Sequence, residues 1–111
     1  MLRVSVRRVE ADYLDELRQW FKTVNGPRRD EAIATLADEG CRHEQASLLS
    51  DSKGLLLLYV MDVEDVEQSC RAIGTSTHTI DADHLRVMTQ AVGDPIPLLA
   101  PVTMATRRTA I

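Results

Sequence analysis

Positive charge is in short supply in this chain: 13 Lys and Arg stand against 17 Asp and Glu, a formal net charge of −4 with a pI near 5.3. Neutralising phosphates needs clustered Lys and Arg, so neither nucleic acid nor an anionic membrane is expected as a partner. Cysteine is nearly absent. Cys41 and Cys70 are far apart and form no CxxC, which excludes a zinc-ribbon spacing and a dithiol redox motif; both are expected as thiols that fill core space. No window approaches the ~20 apolar residues needed to span a bilayer. The opening Met1–Arg8 also lacks the continuous apolar stretch of a signal peptide, so a cytoplasmic location is expected. There is no glycine-rich phosphate loop and no haem or flavin signature, hence no expected cofactor. Internal repeats and low-complexity tracts are missing too.

What is present suits one soluble domain. The 111 residues are 44% apolar and 27% charged, enough for a single core, placed over residues 1–104 with 105–111 as a loose tail. Arg outnumbers Lys eleven to two, the bias of a high-GC bacterial coding sequence.

Leu2, Val4 and Val6 alternate with Arg3, Ser5 and Arg7, predicting a half-buried strand over residues 2–9. Tyr13, Leu14, Leu17, Trp20, Phe21 and Val24 then recur at helical spacing, with Asp12 as cap and Asn25-Gly26-Pro27 as stop. A second helical piece, 27–39, is expected to bury Ile33, Leu36 and Ala37. The turn cluster Asp51-Ser52-Lys53-Gly54 separates a strand starting near Cys41 from the unbroken apolar run Leu55–Met61, which reads as a hairpin. Val63, Val66, Cys70 and Ile73 mark the next helix and Leu85, Val87, Met88 and Val92 a further one over 81–92. A last strand is expected over 96–104, confined to an edge by Pro95, Pro97 and Pro101.

This order is a βαββαβ plan of the α+β class: a four-stranded antiparallel sheet with its helices on one face. A strand with one face in water should alternate, whereas Leu55–Met61 is apolar toward both sides. Left in water, each such side chain forfeits roughly 1.5–3 kcal/mol of burial. A second copy of the chain, packed sheet to sheet across a two-fold axis, is the expected cover; the alternative is a helix or the C-terminal segment folding over that face.

Particular segments carry a resemblance. These are Trp20-Phe21, Glu39-Gly40, Glu44, Gly54 with Leu57 and Tyr59, Glu64-Asp65, and above all His78-Thr79-Ile80-Asp81-Ala82-Asp83-His84. Over residues 2–104 the chain resembles the dimeric α/β-barrel group of ferredoxin-like proteins, and most of all a small bacterial family described only as a domain of unknown function. The resemblance implies a two-sheet dimer with pockets between sheet and helices. Sugar mutarotases of this group share a Tyr matched by Tyr13, but where they carry a His one turn later this chain has Leu17, which removes the titratable group an anomeric proton shuttle needs. No segment matches the group's cofactor-independent monooxygenases specifically.

Two of the three histidines flank one acid in His78, Asp81 and His84, the leading catalytic candidates. With Asp81 as helix cap, His84 falls at the third helical position, where the helix dipole keeps its imidazole neutral and able to accept a proton. The plainer alternative is a capping arrangement. A two-His-one-carboxylate metal set is disfavoured by the spacing, so no metal is expected. Glu44 is the fourth catalytic candidate. Its neighbour His43 points to the opposite sheet face, and a carboxylate near Leu55–Leu58 should hold its proton more tightly. Tyr59, Trp20 and His43 are the candidate substrate-binding residues, with Trp20 also serving as core. The expected ligand is a small organic molecule and the expected activity an acid–base isomerisation or cyclisation; the alternatives are a non-catalytic ligand-binding or accessory dimer and a cofactor-independent monooxygenase-like enzyme.

Overall fold

The computed structural model describes residues 1–99. Strand β1 spans Leu2–Val9 and leads through a 3₁₀ turn at Ala11–Tyr13 into helix α1, Leu14–Asn25. Helix α2 is Arg29–Asp38, followed by the hairpin of β2, Cys41–Asp51, and β3, Gly54–Val63. Helices α3, Val66–Thr75, and α4, Thr79–Ala91, precede the short strand β4, Val92–Pro95. The described residues are thus α+β, with four α-helices and one four-stranded antiparallel sheet in the order β2-β3-β1-β4.

Strand register sorts the side chains. Arg3, Ser5 and Arg7 of β1 lie opposite Met61, Tyr59 and Leu57 of β3, which in turn face Glu44, Ala46 and Leu48 of β2. All of these point toward the helices, because Leu57 packs with Val9, Leu17, Trp20, Ile80 and Val87 in the main core, while Cys41, Met61 and Val63 pack with Leu36 and Val66 in a smaller one. The other face carries Leu2, Val4, Val6, Leu49, Leu56, Leu58 and Val60. The apolar run of β3 therefore does point both ways, and on the open face Leu2 stays 65% and Val4 47% exposed. No helix among the described residues is long and apolar enough to cross a membrane.

Several expectations are corrected. The last strand lies at 92–95 rather than 96–104: α4 runs directly into it, Pro95 ends it, and one further bond joins Ile96 N–H to the Val6 carbonyl. Residues 100–111, which include the end of that expected strand and the tail, lie outside the described residues. In α2 the buried face is Thr35 with Glu39, flanked by Ala32 and Leu36, whereas Ile33 is 51% exposed and Ala37 is also outward. Helix α3 likewise buries Ser69 and leaves Cys70 and Ile73 outside, and α4 buries Ile80, Val87 and Ala91 but not Leu85. Asp12 sits in the 3₁₀ turn and makes no cap bond to α1.

Candidate functional site

The two core clusters meet at Tyr59, which packs against both. At this seam the helix layer is thin: Ser5, the register partner of Tyr59, is exposed although it faces the helices. A cavity of about 100 Å³ opens here, lined by Arg3, Val4, Ser5, Tyr59 and Met61. Arg3 donates to Ser69 Oγ at 3.2 Å and has no carboxylate within salt-bridge distance among the described residues.

Acids gather near Met61, at the start of β2. Glu44 is the register partner of Met61 on β2. Glu39 arrives from the end of α2, where Gly40, at φ +61°, turns the chain into β2. That left-handed conformation suits glycine, and it leaves Glu39 only 6% exposed. Burial pushes the Glu39 carboxyl up to about 7; the charges of Glu44 and Asp81 add to the effect and Arg3 opposes it. Desolvation, followed by the charge of Asp81, likewise pushes the Glu44 carboxyl up to about 7. Cys41 is buried beside them, its thiol pushed up chiefly by burial, and it donates to the His43 carbonyl at 3.2 Å. Ligand atoms of Glu39, Cys41 and Glu44 all lie within 4.8 Å of one another. One oxygen of this cluster, Glu39 Oε2, is buried without a hydrogen-bond partner among the described residues.

Helix α4 brings His84 next to Tyr59. Trp20 Nε1 donates to His84 Nδ1 at 2.9 Å, and the ring of Tyr59 lies 6.3 Å from that of His84 between centroids. An indole N–H only donates, so Nδ1 must be unprotonated and the neutral ring carries its proton on Nε2. Burial drives the His84 pKa down, with the Asp81 charge opposing. The neutral imidazole expected from the sequence is present, but its cause is desolvation in the second turn of α4, not the helix terminus. Its role changes too, because the accepting nitrogen is taken by Trp20 and the remaining one is a donor.

Asp81 does not cap α4. His78 occupies the N-cap position, its backbone N–H bonded to Ser76 Oγ, and Ser76 Oγ donates to the Asp81 carboxylate. The His78 ring turns away from the cleft to Asp38 at 2.7 Å, and His43 lies exposed on the open face beside Gln45 at 3.3 Å. Of the sequence-predicted site residues, Glu44, Tyr59, Asp81, His84 and Trp20 are thus brought together and His78 and His43 are not. The His78 ring bonds Asp38 while Asp81 accepts from Ser76 and His84 from Trp20, so the trio's side chains take separate partners.

Sequence reasoning missed Glu39, Cys41 and Arg3. The spacing of Ala32, Thr35, Leu36 and Glu39 at i, i+3, i+4 and i+7 was the available signal, because it places an acid on a buried stripe.

Comparison with known proteins matches the chain to a family of unknown function, DUF6176, whose pattern fits residues 2–110. The chain belongs to this family. No curated protein matches it, and neither does any solved structure. In this DUF6176 chain an α+β fold carries a cleft walled by Arg3, Val4, Ser5, Tyr59 and Met61.

Proposed function

We propose that the protein is a cytoplasmic, bacterial homodimer of the ferredoxin-like, dimeric α/β-barrel type that binds a small organic molecule in the helix-side cleft and moves a proton on it. The sheet order β2-β3-β1-β4 with all helices on one face supports the fold assignment. The apolar open face of Leu2, Val4, Val6, Leu58 and Val60 supports the dimer. One observation carries the chemistry: Tyr59 lines the cavity together with Arg3, which has no carboxylate partner among the described residues, while the His84 ring lies 6.3 Å from that of Tyr59 and Glu44 is the register partner of Met61 in the cavity wall.

The roles follow from donor and acceptor chemistry. Glu44 takes a proton from a carbon or hydroxyl. His84 presents Nε2–H, with its tautomer set by Trp20, to an oxygen on which charge develops. Tyr59 offers a second hydroxyl donor. Arg3 anchors an anionic substituent, and the volume of about 100 Å³ suits a compact metabolite rather than a drug-sized ligand. Isomerisation or cyclisation of a small carbonyl compound meets these requirements.

The test is hydrogen–deuterium exchange. Incubating the protein in D₂O with a panel of small keto and hydroxy acids should produce, for some member, catalysed exchange beside the carbonyl by NMR, and Glu44→Gln should remove it. Exchange that is equal in Glu44→Gln and the parent would refute the assignment of Glu44. A second reading, binding without turnover, is favoured by the bonds that occupy both α4 candidates, Trp20 to His84 and Ser76 to Asp81. Ligands that bind with no exchange anywhere in the panel would favour it.

A further inference from the structure

We propose that Glu39, Cys41 and Glu44 form a binding site for one divalent transition-metal ion of the zinc class. The three ligand atoms already lie within 4.8 Å of one another. In a tetrahedral zinc site with metal–ligand lengths of about 2.0–2.3 Å, neighbouring ligand atoms are roughly 3.3–3.8 Å apart. The cluster must therefore tighten by roughly 1 Å, within reach of carboxylate rotamer changes.

A gathering of acids alone would mean little, but Glu39 adds an independent observation. The residue is 6% exposed, and its Oε2 is enclosed with no hydrogen-bond partner among the described residues. Buried polar oxygens in native proteins are nearly always satisfied. An unpartnered buried carboxylate oxygen, on a residue whose ligand atom lies within 4.8 Å of another carboxylate and a thiol, fits a cation held among them.

The backbone is shaped for the same cluster. Gly40 in the left-handed region reverses the chain between Glu39 and Cys41. A register shift between Cys41 and His43 then re-aims β2 so that Cys41 and Glu44 both face the helices. The donor set selects the ion. One sulfur and two carboxylates suit zinc or cobalt, whereas calcium and magnesium prefer six or more oxygens. Three protein ligands leave a fourth position for water or substrate, beside Met61 of the cavity wall. The inference goes beyond the proton-transfer reading: with an ion bound, Glu44 becomes a ligand and the donors left to the cleft are His84 and Tyr59.

Cobalt is the probe. The full-length protein, stripped with EDTA and dialysed, is titrated with Co²⁺ and separately with Zn²⁺ in a calorimeter. The expected result is one ion per chain, a sulfur-to-cobalt charge-transfer band, and affinity that falls at least about tenfold in both Glu39→Gln and Glu44→Gln. The band should vanish in Cys41→Ser and survive in Cys70→Ser, whose thiol is exposed. Should Cys41→Ser fail to fold by circular dichroism, the two Glu variants and Cys70→Ser decide. Three results would overturn the proposal: no stoichiometric binding, affinity unchanged in Glu39→Gln and Glu44→Gln, or a band that depends on Cys70. The first would leave a shared proton between Glu39 and Glu44 as the account of the cluster.

Discussion

Replacing Trp20 by Phe tests the lock on His84. The 2.9 Å bond from Trp20 Nε1 joins α1 to α4 in the main core. The substitution strands Nδ1 of a partly buried imidazole, at a cost of about 1–3 kcal/mol, on top of the lost ring volume. His84→Phe removes the acceptor instead, and the double variant removes both. The cycle should then return a coupling energy of about 1 kcal/mol at pH 7.5. Its pH dependence has a fixed sign. Burial lowers the folded-state pKa of His84 below the ordinary 6.5, so the unfolded chain takes up the proton first as pH falls. The stabilisation is complete above about 6.5 and is lost as pH falls through the lowered value, because an imidazolium cannot accept the indole N–H. Urea denaturation followed by far-ultraviolet circular dichroism is the assay, since Trp20 is the only tryptophan, and protein concentration must be held constant in case folding and association are linked. A coupling energy of zero at pH 7.5, or one that grows rather than falls as the pH is lowered from 6.5, would refute the reasoning.

Other consequences are accessible to the same methods. With EDTA present, Glu39→Gln should gain up to about 3 kcal/mol at pH 8, because the parent carboxyl rises from 4.5 to about 7 on folding. That burden is absent below pH 4.5 and grows as pH rises through 7, so a parent curve without this loss, or no gain in the variant, would contradict it. Gly40→Ala places a side chain at φ +61° and should lower stability by about 1–2 kcal/mol; an unchanged denaturation midpoint would argue against the left-handed turn. Leu58→Asp, on the open sheet face, should convert a species of twice 12.4 kDa into one of 12.4 kDa in sedimentation equilibrium. A parent protein that is already monomeric at micromolar concentration would remove the dimer.

Much of the sheet was legible because strand periodicity leaves few choices. Alternation in Leu2–Arg7 and the unbroken run Leu55–Met61 placed β1 and β3, and their pairing put Glu44 and Tyr59 on one face and His43 on the other. Helical periodicity was less decisive. In α2 the apolar residue Ile33 lies outside while Glu39 goes in, because the turn at Gly40 sets the helix roll and the acid is held where residues distant in sequence meet. The segment around Asp81 misled for a related reason. Both Asp81 and His78 can satisfy a helix start, and the contest was settled by Ser76, which serves the His78 N–H and the Asp81 carboxylate together. His78 was drawn off by Asp38, 40 positions away in sequence, a contact that no local spacing encodes. The last strand shifted toward the N-terminus because α4 passes into it without a loop, and its pairing to Arg7 and Val9 is a property of the assembled sheet.

The most direct test of the central claim is a ligand titration of isotope-labelled protein. Addition of small keto acids, followed in amide and histidine-ring NMR spectra, should shift Arg3, Ser5, Tyr59, Met61 and His84 together and saturably. Saturable shifts confined to His43, His78 or the open sheet face, with the Tyr59 and His84 signals unmoved, would place the binding site elsewhere and contradict the account.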